Sequence, residues 1–196
     1  MAMTDLIDDC SDDDLPVDPD AAQPAASMPA PKRAAHQGSP LALIAGLALQ
    51  RVLRPADRRR LRERHSLVVI LQAPTAAWCG PLARAVRAIA HETVHIVTAT
   101  GERRRSGSPG DEQEAAAAIA GGNPVVGISP APDLLLPSVL RTAADRFLAV
   151  PPASPALIAQ AIATWCAGRR PKDLTPEDLA GLDLTDLAAA LRPGSI

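Results

Sequence analysis

The fold class of this chain follows from one stretch of sequence, Ser66-Leu-Val-Val-Ile-Leu-Gln72. Its centre is a continuous run of β-branched and aliphatic residues, without the polar alternation of a strand that has one exposed face. Such a run is typical of a parallel strand buried on both faces. Apolar residues then recur at helical spacing over 81–90. A strand that leads into a helix is the repeating unit of a parallel sheet.

The same alternation continues to about residue 168. Further strands are predicted over 93–99, 124–129 and 146–150. Helices are predicted over 111–120, with Asp111 as the cap and Gly121-Gly122 as the end, over 134–144 and over 154–167. We therefore expect an α/β domain over residues 66–168, with a small, mostly parallel sheet flanked by helices.

Three flanking segments surround this domain. Residues 1–38 combine eight Asp with a Pro/Ala stretch, and we expect a disordered acidic tail there. Residues 39–65 predict a basic helical pair, in which Ser39 caps a helix and Pro55 starts a second one. Residues 169–196 predict a helical linker or lid-like segment with two short capped helices.

The composition excludes several classes of protein. Aromatic residues make up 2% of the chain and the net charge is −2, so nucleic acid is not an expected partner. Three cysteines without a CxxC pair do not form a disulfide framework. The acidic N-terminus differs from a signal peptide, and the most apolar run, Leu41 to Leu49, is shorter than the roughly 20 residues of a membrane span. We expect a cytoplasmic protein.

Seven arginines form a basic patch in the helical pair. This patch has two interpretations. It is either an electrostatic surface for a phosphate backbone or for the acidic tail, or a solvated helix whose arginine stems cover apolar surface. Its members are Arg51, Arg54, Arg58, Arg59, Arg60, Arg62 and Arg64.

The loop after the first strand is the expected ligand site, because open α/β sheets bind ligands at the carboxyl ends of their strands. When a phosphate-binding loop is laid over it, Thr75 and Gly80 occupy the positions of the two glycines. Pro81 then replaces the lysine, and Leu82 replaces the hydroxyl that holds magnesium. None of the predicted strands ends in paired carboxylates. We expect a degenerate phosphate loop that does not hydrolyse ATP.

The same loop contains Trp78-Cys-Gly-Pro81, which locally resembles the redox motif of thioredoxins. A helix start would lower the pKa of Cys79 and activate its thiol. Leu82 stands where the resolving cysteine belongs, so this alternative is a monothiol or redox protein that uses Cys79.

Other catalytic or metal sites are not predicted. The four histidines, His36, His65, His91 and His95, have no metal-ligand spacing with cysteines or carboxylates. No serine lies in a G-x-S-x-G elbow. We predict no metal and no catalytic residue in this chain.

Residues 125–152, from Val125-Val-Gly-Ile-Ser129 to Arg146-Phe-Leu-Ala-Val-Pro-Pro152, resemble the second half of an AAA-family ATPase core. The resemblance covers roughly residues 66–192 and implies a degenerate P-loop NTPase-like domain, in which residues 154–167 and 174–191 are similar to lid helices or a linker. Ser129 falls near its sensor position, and Arg141 or Arg146 falls near its arginine-finger position. The ending Leu187-Ala-Ala-Ala-Leu-Arg-Pro-Gly194 is similar to the linker before the ATPase module of long bacterial members.

The resemblance implies a non-catalytic N-terminal region that serves regulation, assembly or substrate recognition in a bacterial AAA-family ATPase. ATP and magnesium would then be bound only by a module beyond Ile196, and this chain would carry no cofactor. A protein partner or self-association is expected, and a membrane is not. Two alternatives to this interpretation stay open. One is the thiol or redox protein that uses Cys79, and the other is a protein-interaction module without nucleotide ancestry.

Overall fold

Strands and helices alternate along the part of the chain that the computed structural model describes, residues 39–90, 94–101, 109–166, 171 and 173–191. The predicted acidic tail over 1–38 lies outside it. The strands are β1 Val68–Gln72, β2 His95–Thr98, β3 Val125–Ser129 and β4 Arg146–Ala149. The helices are α1 Pro40–Val52, α2 Pro55–Arg62, α3 Ala76–Ala90, α4 Pro109–Ala120, α5 Pro132–Leu135, α6 Ser138–Ala143, α7 Pro155–Trp165 and α8 Leu184–Ala190, with a 3₁₀ helix at Glu177–Leu179.

The four strands form one sheet in the order β2-β3-β1-β4, and every described pair is parallel. Val68 pairs with Val125 at the start of β1, and Val69 pairs with Arg146 on the other side. Strand β3 is buried along its whole length, and β1 is buried except at Gln72. The predicted α/β class with a parallel sheet flanked by helices is therefore confirmed.

Helices cover both faces of the sheet. Val69 and Leu71 of β1 join the larger core, to which α1, α3, α7 and α8 contribute. Val68 belongs to a smaller cluster on the opposite face, with residues of α4 and α6. This division follows from the two-residue period of a strand, which points successive side chains to opposite faces.

Side-chain caps mark the starts of three helices, α1, α7 and α8, where the sequence predicts them. The Ser39 hydroxyl accepts a hydrogen bond from the Ala42 N–H at the start of α1. The Ser154 hydroxyl accepts one from the Leu157 N–H at the start of α7. At α8 the side chains of Asp183 and Asp186 form a capping box. These side chains satisfy N–H groups that have no acceptor inside a helix.

A close contact over β3 explains Gly127. A Cβ at this position would lie 2.8 Å from Leu136 Cδ1 and 3.4 Å from Leu140 Cδ1. Both leucines are buried, so a side chain at position 127 would require their methyl groups to shift within the packed layer between the sheet, α5 and α6.

Three helix boundaries differ from the prediction. Helix α3 begins at Ala76, five residues before the predicted start, so Pro81 lies inside it. The helix predicted over 134–144 is interrupted, because the residue before a proline is driven out of the helical region. Leu136 accordingly has an extended backbone (ψ 149°) before Pro137. Helix α4 begins at Pro109, so Asp111 lies in its first turn rather than at its cap.

Candidate functional site

The carboxyl edge of the sheet has its topological switch point between β1 and β3. Strand β1 leads into α3 on one face, and β3 leads into α5 and α6 on the other. Neighbouring strands whose connections leave toward opposite faces open a crevice at their carboxyl ends, where α/β proteins bind ligands. Thr75 and Ser129, two of the predicted site residues, both lie at this edge.

An acidic side chain from the C-terminal helix occupies the position next to Thr75. The Thr75 hydroxyl lies 3.1 Å from each carboxylate oxygen of Asp183 and donates to them. Asp183 also accepts a hydrogen bond from the Leu184 N–H at 2.7 Å as the cap of α8. Helix α8 is anchored nearby through the buried Leu184 and Leu187. A carboxylate of the protein therefore stands at the start of α3, where a phosphate-binding domain would hold its anion.

The predicted phosphate-loop positions do not form a loop. Three residues, Ala73 to Thr75, connect β1 to α3, and the Trp78 N–H already donates to the Thr75 carbonyl. Gly80 is exposed within α3, with open space around the position of a Cβ. Because Ala76 to Gly80 have helical backbone, this segment does not form the open glycine-rich loop that wraps a phosphate in a P-loop.

Ser129 is at the end of β3, as the sensor position requires, but its side chain is fully buried. Its hydroxyl accepts a hydrogen bond from the Ala131 N–H at 3.2 Å. Its carbonyl accepts one from the Ala73 N–H. Ser129 thus joins the ends of β1 and β3, which is a structural role.

Cys79 lies on the inner face of α3 and is 1% exposed. Burial raises the pKa of this thiol from its ordinary value of 9.0 to about 11. The thiolate is the reactive form, so the Cys79 thiol is held in its unreactive state at neutral pH. This environment opposes the activation that the Trp-Cys-Gly-Pro sequence predicts.

The predicted arginine-finger residues lie away from the switch point. Arg146 begins β4, at the amino edge of the sheet, and its Nε is 3.7 Å from Asp57 Oδ1. Arg141 is exposed in the last turn of α6, which leads into the same end of β4. In a parallel sheet the amino and carboxyl ends lie on opposite edges. Neither arginine therefore shares a site with Thr75 in the described structure.

The predicted basic patch divides into arginines with acceptors and arginines without them. Arg51 on α1 donates to Gln160 and Ser154 of α7, so it joins two helices. Arg59 pairs with Glu63 at 2.8 Å and lowers the pKa of that carboxyl. Arg60 donates to the Ser66 carbonyl just before β1. The other four arginine side chains of the patch have no acceptor within residues 39–90, 94–101, 109–166, 171 and 173–191. They are Arg54, Arg58, Arg62 and Arg64.

Asp57 is the buried carboxylate of this region, and no sequence motif singled it out. It is 2% exposed, and its Oδ2 has no hydrogen-bond partner. The signal in the sequence that could have predicted its burial was its position one helical turn before Leu61, which faces the core. Asp183 could be recognised only as a helix cap, because its contact with Thr75 spans 108 residues of sequence.

The described part of the chain has neither a candidate metal site nor a candidate membrane-spanning helix. No group of three or more His, Cys, Asp or Glu side chains there could hold a metal ion. None of the helices in those residues is long and apolar enough to cross a membrane.

Comparisons with protein-family models, with curated proteins and with solved structures gave no match to this chain. The resemblance to AAA-family ATPases accordingly stays a prediction.

Proposed function

We propose that this chain is a non-catalytic recognition, assembly or regulatory module, of the kind found at the N-terminus of bacterial AAA-family ATPases. ATP hydrolysis would then take place in an ATPase module outside these residues. The contact between Thr75 and Asp183 carries the proposal. It places a negative charge at the switch point, where ATP would have to bring its phosphates.

The residue at the lysine position of the loop supports the same proposal. A phosphate loop needs a lysine for the outer phosphates, and Pro81 occupies that position. The two lysines of the chain, Lys32 and Lys172, lie outside the described residues. A module of this kind acts through its surface rather than through bound nucleotide.

The alternative of a thiol or redox protein has less support. Cys79 is buried in the larger core, with Trp78 and Leu82 in the same cluster. A nucleophilic thiol requires exposure and a lowered pKa, whereas burial raises the pKa of this one.

Calorimetric titration of the full chain with ATP and magnesium tests the proposal. We expect no binding heat for the native chain or for Asp183→Asn, which removes the charge and keeps an acceptor that can cap α8. Magnesium-dependent binding by the native chain would contradict the proposal. Binding that arises only in Asp183→Asn would also contradict it, since the edge would then be a nucleotide site closed by one carboxylate.

A further inference from the structure

Three arginines along α2 form a row that the rest of the described chain leaves without acceptors. Arg54 caps the helix, and Arg58 and Arg62 follow at intervals of four residues. Residues at this spacing lie on the same side of a helix, so the row extends over about 12 Å. We call these three residues the arginine row. The neighbouring Arg59 and Arg60 of α2 each have an acceptor, and Arg64 lies beyond the end of the helix, so the row is distinct within α2.

Arg58 is the central member of the row and is only partly exposed. Its Nε is buried and has no hydrogen-bond partner. A buried donor without an acceptor costs free energy, because it has lost water and gained nothing in return. Turning the guanidinium toward an acceptor at the surface would remove that cost. Arg58 therefore gains more from an anionic partner than a fully solvated arginine would.

The other side of α2 is fixed, which keeps the row in place. Leu61 is fully buried, and Asp57 of the same helix is held at the amino edge by Arg146. Helix α2 also packs against α3. The row is thus presented by an anchored helix, and a partner would not have to order the helix on binding.

We propose that the arginine row binds an acidic helix of a partner protein, through carboxylates spaced four residues apart. Such carboxylates repeat at the same interval as the three guanidinium groups, and each arginine can bind a carboxylate with two parallel hydrogen bonds. The inference rests on the proposed function, because it assigns the surface through which the recognition module acts.

The surroundings of the row favour a protein over a nucleic acid. Asp57 and Glu63 lie within the same segment, and no aromatic residue occurs between Arg51 and Arg64. A nucleic-acid site is built from a longer run of cations, often with aromatic side chains on which bases stack.

Fluorescence anisotropy of a labelled helical peptide tests the proposal on the full chain. The probe is an alanine-rich helix with three glutamates at four-residue spacing. A second peptide of the same composition places the glutamates on different sides of the helix. We expect the first peptide to bind at about 50 mM salt and to bind at least about tenfold more weakly at 500 mM, where charges are screened. We expect weaker binding of the second peptide.

Substitutions in the arginine row distinguish binding by these three side chains from a general effect of the net charge of the chain. We expect the triple variant Arg54→Gln, Arg58→Gln, Arg62→Gln to lose about tenfold or more in affinity, with Arg58→Gln the largest single effect. Arg58→Lys keeps the charge and should recover only part of the binding. Arg141→Gln on α6 removes the same charge as one substitution in the row, and its affinity should stay within about twofold of the native chain.

Each outcome bears on one proposal. Equal binding by the triple variant, equal binding of both peptides, or no binding of either would overturn the inference and leave the proposed function standing. Tighter binding of duplex DNA of equal charge would overturn it in favour of nucleic acid. Binding of ATP with magnesium in a parallel titration would instead contradict the proposed function.

Discussion

At the scale of single residues, the environment of a side chain decides its chemistry more than the motif that surrounds it. Trp78-Cys-Gly-Pro81 has the sequence of a reactive helix start, yet Cys79 faces the core from within α3. The difference arises because α3 begins at Ala76, which turns the cysteine inward. The start of a helix cannot be fixed to within a few residues from sequence, and here that margin separates an exposed thiol from a buried one.

The first prediction concerns this thiol. In a Cys10→Ser, Cys166→Ser background, iodoacetamide should alkylate Cys79 far more slowly in the folded chain than in urea at the same pH. Mass spectrometry of timed samples measures both rates. A folded-state rate close to the unfolded one would show that Cys79 is accessible and would restore the thiol alternative.

The second prediction follows from the raised pKa of the same group. With a folded pKa of about 11 and an ordinary value of 9.0, the Cys79 thiol leaves stability unaffected below pH 9. As the pH rises from 9 to 11, the unfolded state loses this proton first, so the free energy of unfolding falls. Urea denaturation of the native chain and Cys79→Ala should diverge over this interval, with the smaller loss in the variant.

The third prediction compares two glycines. Gly46 lies in α1 with no atom within 4 Å of the position that an added Cβ would take, so Gly46→Ala should raise the free energy of unfolding by about 0.5–1 kcal/mol. Gly127→Val should lower it by about 1–3 kcal/mol, because the added atoms meet Leu136 and Leu140. Urea denaturation measures both changes. A neutral Gly127→Val would mean that α5 and α6 can move away from the sheet at little cost.

At the scale of elements, α8 covers the carboxyl edge through one side chain that has two roles. Asp183 caps its own helix and accepts from Thr75 across 108 residues of sequence. The cap is visible in the sequence, since an Asp precedes Leu184-Thr-Asp186. The contact with Thr75 is not, because it depends on where α1 and α3 let the helix dock.

The fourth prediction separates these two roles. Asp183→Ala removes both and should lower the free energy of unfolding by about 1–2 kcal/mol. Thr75→Ala removes only the contact and should cost less, while Asp183→Asn retains a good cap and should also cost less. Urea denaturation followed by circular dichroism gives the three values. A cost for Thr75→Ala equal to that of Asp183→Ala would show that the contact, rather than the cap, holds α8.

At the scale of the whole molecule, the class of fold could be predicted because periodicity depends on local sequence. The buried run at β1 and the helical spacing after it indicated a parallel sheet, and the structure has one. The strand order could not be obtained in this way, because it depends on which edges meet after the helices pack. That order makes β1 and β3 neighbours, which brings Thr75 and Ser129 together at the carboxyl edge. Arg146 lies at the opposite edge because it begins its parallel strand.

The strand order also determines the sequence in which the strand pairs can form while the chain is being synthesised. Strands β1 and β2 are not neighbours, and each has β3 as a partner. A nascent chain that has emerged only as far as residue 120 therefore holds two strands and no pair between them. Strand β4 must then reach β1 across 77 residues of sequence, so β1 receives its second neighbour last. Contacts this distant in sequence slow folding, and until they form β1 is an apolar strand that a chaperone could bind.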